Sequence, residues 1–366
     1  MLQRNRRGES AVVRHRRGAS DVIVLAQPAV AYDAVELRAG EDPRELTPGL
    51  LGVRFELPFA LDHVNVWLLE DVPGWTVIDA GLADQPSRQR WQGLRAGALA
   101  GLRFERLVAT HFHPDHLGLA GWLCALTGAE LWASRTEWLM GRLLAQDTSE
   151  AFVAVGRAFD RRAGLDEDLV ATRAGRGNLY RRRAVVPPAS FRRLRDGDEV
   201  PIGGRAWRVI VGRGHAPEML CLYDARSNVL IAADQILPRI SPNVGVWPAE
   251  PEANPLADFL SSLERFRALP DDCLVLPSHG RPFRGLHARI DQLAAHHEER
   301  LEATIVACAR PATAVEIMPR LFDRKLDIHQ LAFALGETLA HLNHLLADGR
   351  LTRRLDDDGR LRYLRR

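Results

Sequence analysis

The chain has few cysteines, a single lysine and no long apolar run. Its four cysteines lie far apart in the chain and form no Cys-x-x-Cys pair, which favours reduced, buried residues in a cytoplasmic protein. No apolar stretch approaches the length of a membrane span, which argues against a membrane partner. Lys325 is the only lysine, and the formal net charge of +2 is too small to indicate a strong field for nucleic acid.

Residues 1–45 are predicted to be a disordered basic leader. Six arginines oppose a single acid, Glu9, within residues 1–17. An apolar stretch at residues 22–31 follows, and a basic region before an apolar one is also typical of a secretory signal. Because Asp21 and Pro28 interrupt that stretch, a leader is favoured over export.

A histidine-rich segment with the sequence THFHPDHLG occupies residues 110–118. It follows the apolar run 107–109, which predicts a short buried strand, and it leads into residues 117–126, which read as a helix. The segment is therefore expected at the carboxyl edge of a strand, where open α/β sheets hold their sites.

The residue types in this segment point to metal binding. Imidazole nitrogens and a carboxylate suit zinc or a similar borderline metal. His111 and His113 alternate on an extended segment and project the same way, whereas Asp115 and His116 turn toward a second position. One loop can thus supply ligands to two metals.

Other polar side chains also follow predicted strands. His215, Asp234 and His279 come after apolar runs farther along the chain. Asp79 closes the apolar strand 75–79, where a carboxylate is costly without partners.

The pattern His-x-His-x-Asp-His, with a strand before it and a helix after it, resembles the signature of the metallo-β-lactamase superfamily. The resemblance implies an α/β, four-layered αββα fold over residues 46–310, with a helical insertion at 135–185. The turn Gly214–Glu218 is similar to that of hydroxyacylglutathione-hydrolase-like proteins.

The resemblance also implies two divalent metal ions, with zinc predicted and iron or manganese as alternatives. The implied ligands of one ion are His111, His113 and His215, those of the other are Asp115, His116 and His279, and the implied bridge between them is Asp234. Asp79 would support the metal-binding loop without binding metal.

The segment 238–255 is rich in proline, asparagine and glycine. A long loop of this type inside a compact domain is usually functional. We therefore predict a substrate pocket lined by the apolar residues of this loop, namely Ile240, Val244, Val246 and Trp247.

Residues 311–366 are predicted to form a small C-terminal winged-helix-like domain. Two helices, at 312–321 and 328–347, precede a hairpin that turns at the sequence DDDG, residues 356–359. Arginines on the wing could touch phosphate. The alternative is that the module packs against the catalytic domain or against a second subunit in a homodimer.

These features predict a metal-dependent hydrolase. A hydroxide shared by the two ions would attack a small-molecule thioester, ester or lactone, with Asp115 as the catalytic proton carrier. A phosphodiesterase or endoribonuclease using the same metals is the alternative, supported by the arginines of residues 161–183. A non-catalytic DNA-binding regulator is disfavoured, because it has no need of so complete a ligand set.

Overall fold

The computed structural model describes residues 30–366. The strands are β1 (Ala31–Tyr32), β2 (Arg44–Thr47), β3 (Leu50–Glu56), β4 (His63–Glu70), β5 (Trp75–Ile78), β6 (Phe104–Val108), β7 (Glu130–Ala133), β8 (Arg192–Arg193), β9 (Glu199–Ile202), β10 (Arg205–Gly212), β11 (Met219–Asp224), β12 (Val229–Ala233), β13 (Leu274–Pro277), β14 (Phe283–Arg284), β15 (Leu351–Leu355) and β16 (Leu361–Arg365). The α-helices are α1 (Gln85–Ala96), α2 (Pro114–Leu117), α3 (Ala120–Thr127), α4 (Arg135–Gln146), α5 (Glu150–Ala163), α6 (Glu167–Gly175), α7 (Pro255–Arg265), α8 (Leu286–Ala307), α9 (Ala314–Ile317) and α10 (Ile328–Ala347).

The strands build two seven-stranded sheets and one separate hairpin. The first sheet has the order β2-β3-β4-β5-β6-β7-β8, and the second has the order β1-β14-β13-β12-β11-β10-β9. The hairpin consists of β15 and β16, and its turn lies where the sequence DDDG predicted it.

Side chains alternate between the two faces of each sheet, as extended backbone requires. On β4, Val64, Val66 and Leu68 lie in the core beneath α1 and α3, whereas Trp67 and Leu69 lie in the core between the sheets. Burying each such side chain stabilises the fold by about 1.5–3 kcal/mol. Both faces of the sheet therefore need a covering layer.

The second sheet shows the same alternation. Val209 and Val211 of β10 face the first sheet, and Ile210 points into the core formed with α7, α8 and α10. The layers run helix, sheet, sheet, helix, which confirms the predicted four-layered αββα fold.

The connections bring five strand ends to one edge of the molecule. Strands β5 and β6 run parallel, and so do β12 and β13. β10 is antiparallel to β11, which is antiparallel to β12, so β10 ends on the same side as β12. Asp79, the histidine-rich segment, His215, Asp234 and His279 follow these five ends.

Helix α1 is anchored beside one of these ends. Asp84 caps it by accepting a hydrogen bond from the Ser87 backbone amide at 2.8 Å. Trp91 is fully buried and donates from its indole nitrogen to the Ala80 carbonyl oxygen at 2.8 Å. The helix therefore holds the residue that follows Asp79.

The predicted leader extends too far into the chain. Residues 30–45 are described, and Ala31 and Tyr32 pair with Arg284 and Phe283 as an edge strand. Leu37 is buried in the core between the sheets. These contacts make residues 30–45 part of the folded domain, and residues 1–29 lie outside the described part of the chain.

The C-terminal region shares a core with the second sheet. Leu335 and Leu339 of α10 and Tyr363 of β16 belong to the same buried cluster as Phe259 of α7. The predicted helix at 312–321 is a short α9 followed by a 3-10 turn at Met318–Arg320. Two helices and a hairpin are present as predicted, and the assignment to the winged-helix class stays a prediction.

None of the helices within residues 30–366 is both long and apolar enough to cross a lipid bilayer. All four cysteines are buried and unpaired.

Candidate metal centre

The histidine-rich segment turns sharply from β6 into α2. Pro114 begins α2, where its missing amide proton costs nothing and its fixed φ favours the helix. Gly118 ends this turn in a crowded place, because a Cβ atom there would lie only 2.0 Å from the Pro114 carbonyl oxygen. The segment thus needs both residues to turn its ligands inward.

Two triads of candidate ligands meet at this edge. In each triad, the candidate ligand atoms lie within 4.8 Å of one another; the triads are His111, His113 and His215, and Asp115, His116 and His279. The structure therefore brings together the two groups that the sequence resemblance implied.

Asp234 lies between the triads. Its Oδ2 is 3.3 Å from the Nε2 of His215, in the first triad, and 3.3 Å from the Nε2 of His279, in the second. Its Oδ1 is 3.6 Å from the Nε2 of His116. One carboxylate thus faces both triads.

The centre contains buried polar atoms that have no protein partner. Among residues 30–366, no hydrogen bond reaches Nε2 of His116, His215 or His279, or Oδ1 of Asp234. Buried polar groups are rarely left unsatisfied, and these four all point into one space. Imidazole nitrogens and carboxylate oxygens converging in this way fit two divalent cations.

The carboxylates of the centre favour positive charge on the groups beside them, as the raised pKa of His116 shows. Burial, together with neighbouring His215, lowers the pKa of His113 to about 3. Burial alone would lower the pKa of His116, but the carboxylates of Asp115 and Asp234 outweigh it and raise that pKa well above its ordinary value. Buried carboxylates need positive charge nearby, and in the protein alone a protonated His116 contributes it.

Most of the histidines are held by their other ring nitrogen. Nδ1 of His215 donates to the Asn243 carbonyl oxygen at 2.7 Å, and Nδ1 of His279 donates to the His63 carbonyl oxygen at 2.6 Å. Such bonds fix the ring and leave Nε2 free of other partners among the described residues, in the orientation that a metal ligand would need.

Asp79 holds His116 in the same way. Its Oδ2 accepts from Nδ1 of His116 and from the Thr110 hydroxyl, each at 2.8 Å, and its Oδ1 accepts from the Thr110 backbone amide at 2.8 Å. Asp79 adopts a positive φ of 66°, which is uncommon outside glycine and often marks functional sites. Its carboxylate therefore fastens the segment without entering the centre.

Two residues near the centre escaped the sequence analysis. Glu137 of α4 accepts from the Phe112 amide at 2.8 Å and from the Glu218 amide at 2.6 Å, and so joins the two loops that carry the first triad. His63, which begins β4, accepts from the Gly280 amide at 2.7 Å. The only sequence signal for Glu137 is that it is an acidic residue near the start of a helix. Many solvent-exposed acidic residues occupy the same position, so the signal does not identify a buried one.

We expect Glu137→Gln to weaken metal binding by roughly 10–100-fold, the usual effect of removing a hydrogen-bond partner that orients a metal site. Glutamine has one acceptor oxygen, so either the Phe112 or the Glu218 amide loses its partner. The measurement is a chelator titration followed by metal analysis. Exposed Glu150→Gln is the control, and an unchanged midpoint for Glu137→Gln would show that this clamp is unimportant.

The predicted substrate pocket is partly wrong. Val244 and Val246 are fully buried, and both belong to the core beneath the second sheet. The cause is α10, because the Gly336 carbonyl oxygen accepts from the Val246 amide at 3.0 Å and covers this part of the loop. Ile240 and Trp247 remain 49% and 37% exposed, so only these two keep the position that a pocket wall needs.

Two family models match this chain. Residues 60–279 match the metallo-beta-lactamase superfamily, and residues 301–366 match the metallo-beta-lactamase-like C-terminal domain.

Individual proteins of known structure or curated description are also similar to this chain. A beta-lactamase domain protein from Burkholderia ambifaria, known from its crystal structure, is 44% identical with a TM-score of 0.85, covering 92% of this chain and 98% of that one. A probable metallo-hydrolase of Bacillus subtilis is 25% identical over 84% of this chain and 95% of its own length. An acyl-coenzyme A thioesterase of Gallus gallus is 30% identical over 64% of this chain and 78% of its own length.

Proposed function

Because this chain belongs to the metallo-β-lactamase superfamily and is a metal-dependent hydrolase, we propose that it cleaves a thioester, an ester or a lactone. The observation that carries the proposal is the carboxylate of Asp234 between two complete triads. A centre built for two metals can both activate water and polarise an acyl group.

We assign the metal ligands by triad. His111, His113 and His215 would hold one ion, and Asp115, His116 and His279 would hold the other, with Asp234 shared between them. Zinc is the proposed metal, because five of the seven donors are imidazoles and imidazole with carboxylate suits zinc. Iron and manganese are the alternatives.

When bound, the two ions supply an activated water molecule and stabilise the negative charge that develops on the acyl oxygen. Asp115 is the residue that would move the proton. Its side chain is 18% exposed, against 6% for Asp234 and 2% for Asp79, so it is the carboxylate of the centre that a substrate can best reach. It would take a proton from the nucleophile and deliver it to the leaving group.

The case for a phosphodiester is weakened because three of the arginines that could bind nucleic acid already have carboxylate partners. Arg161 pairs with Glu167, and Arg173 pairs with Asp160. On the hairpin, Arg362 lies 2.6 Å from Asp356. The thioesterase activity named for the Gallus gallus relative is consistent with an acyl substrate.

The test is a substrate panel on one metal-loaded preparation. Thioesters, aryl esters and lactones are assayed beside bis-p-nitrophenyl phosphate and single-stranded RNA. We expect hydrolysis of at least one acyl class and none of the phosphodiesters. Cleavage of RNA or of the phosphodiester alone would replace the proposal with the nuclease alternative.

A further inference from the structure

A cavity of about 560 Å³ is lined by none of the candidate metal ligands. Its walls are residues 239–241 of the loop after Asp234, one side of α8, and residues 321–324 before α10. We call it the arginine pocket. Its charged lining consists of Arg239, Arg289, Arg300, Arg324, Asp323 and Glu337.

The charge of the arginine pocket is unbalanced. Four arginines and two acidic residues line it, which leaves a surplus of two positive charges. Guanidinium groups cannot lose their protons in proteins. The positive charge of the pocket therefore persists at all ordinary pH values and favours the binding of an anion.

Two of the arginines are fixed parts of the wall. Arg289 is 6% exposed and donates to the Leu237 and Ile240 carbonyl oxygens at 2.5 and 2.8 Å. Arg300 donates to the Leu321 carbonyl oxygen at 2.8 Å. Their side chains are thus held in place before any ligand arrives, which lowers the entropy lost on binding.

The other two arginines are available to a ligand. Arg239 and Arg324 are exposed, and within residues 30–366 neither has a carboxylate oxygen within 4.0 Å, whereas Arg300 lies 3.8 Å from Glu337. They belong to different segments of the lining, Arg239 to the loop after Asp234 and Arg324 to the stretch before α10. Two segments that are separate in the chain thus each supply the pocket with an exposed guanidinium group.

The pocket is connected to the metal centre by hydrogen bonds. Glu337 of its lining accepts from the Asn243 side-chain amide at 3.1 Å. The Asn243 carbonyl oxygen accepts from Nδ1 of His215 at 2.7 Å. A single residue, Asn243, therefore links the pocket to the proposed metal ligand His215.

We propose that the arginine pocket binds a phosphate monoester. Such a group carries about −1.5 to −2 charge at neutral pH, which matches the surplus, and arginine binds phosphate through paired hydrogen bonds. The phosphate has two chemical sources, a substrate whose far end carries it or a separate phosphorylated effector. The first source rests on the proposed function, and the binding itself does not.

The binding test is calorimetric titration of adenosine 3′,5′-bisphosphate into metal-loaded protein. We expect saturable binding that weakens by at least about 10-fold in Arg239→Ala/Arg324→Ala, since each lost charge-assisted hydrogen bond is a large part of the affinity. Exposed Arg310→Ala is the matched control and should bind as the wild type does. Metal content is measured for all three proteins, and equal affinity in the double variant would overturn the proposal by placing the ligand elsewhere.

A second assay separates the two sources. An acyl-coenzyme A carries phosphate, and the same acyl group on N-acetylcysteamine does not. If the phosphate belongs to the substrate, the KM for the acyl-coenzyme A divided by the KM for the N-acetylcysteamine thioester rises by at least about 10-fold in the double variant. If it belongs to an effector, bisphosphate binding falls and the ratio stays unchanged. Failure of the proposed function, with neither thioester cleaved, leaves the calorimetric result intact.

Discussion

Asp234→Asn should lower kcat/KM for the acyl substrate by more than the roughly 10–100-fold expected for losing a mere hydrogen-bond partner of a metal ligand. Asparagine keeps the shape of the side chain but loses the negative charge and one of two oxygens. In the wild type, those oxygens lie 3.3 Å from His215 and His279 and 3.6 Å from His116, so both triads are affected at once.

The metal content of the Asp234→Asn protein should fall with the activity. We expect a loss of at least one of about two ions per chain, measured by mass spectrometry of the purified protein. Exposed Asp168→Asn in α6 is the matched control and should keep both ions. Full metal content together with full activity in Asp234→Asn would show that the two triads do not share this carboxylate.

Asp79→Asn is expected to have the second largest effect, a loss of roughly 10–100-fold in metal affinity and activity. The amide can still accept from the Thr110 backbone, but its nitrogen would face Nδ1 of His116, where an acceptor now lies at 2.8 Å. His116 would lose the bond that fixes its ring.

The effect of Asp79→Asn should be confined to the triad that contains His116. Chelator titration should release one ion early and the other at the wild-type concentration. Thr110→Val removes the hydroxyl that donates to Asp79 at 2.8 Å and lies 3.0 Å from Nδ1 of His111, but it leaves the bond between Asp79 and His116 in place. We therefore expect it to shift the release of the His116 ion less than Asp79→Asn does. If Asp79→Asn and the wild type release both ions together, Asp79 does not orient His116.

The candidate ligands were readable from the sequence because each lies in a segment that follows a strand. Local patterns predict where a strand ends, and parallel strands that end at one edge bring their next residues together. His215, Asp234 and His279 lie far apart in the chain, yet each obeys this rule. The four-layered fold followed from the resemblance that the histidine-rich segment carries.

The supporting residues could not be read in the same way. Glu137 reaches the Phe112 amide 25 residues away, and Asn243 reaches His215 28 residues away. Such contacts depend on how separate elements pack, which no local pattern records. Val244 and Val246 were misplaced for this reason, because nothing in their own loop shows that α10 covers it.

The predicted end of the leader, at residue 45, was misplaced for a related reason. Ala31 and Tyr32 form too short a strand to be recognised from alternation, and they are fixed by pairing with β14 some 250 residues later. Leu37 is buried only because the sheets enclose it. Edge strands that depend on distant partners are the hardest elements to read from a single sequence.

The most direct test of the central claim is the number of metal ions bound per chain, measured on the preparation that is assayed for hydrolysis. Protein is expressed with zinc, iron and manganese supplied in separate cultures. The two triads around Asp234 predict about two ions per chain and acyl hydrolysis that is lost with a chelator and restored by metal. A protein that binds no metal in any culture, or that hydrolyses its substrate equally well after complete removal of metal, would contradict the account.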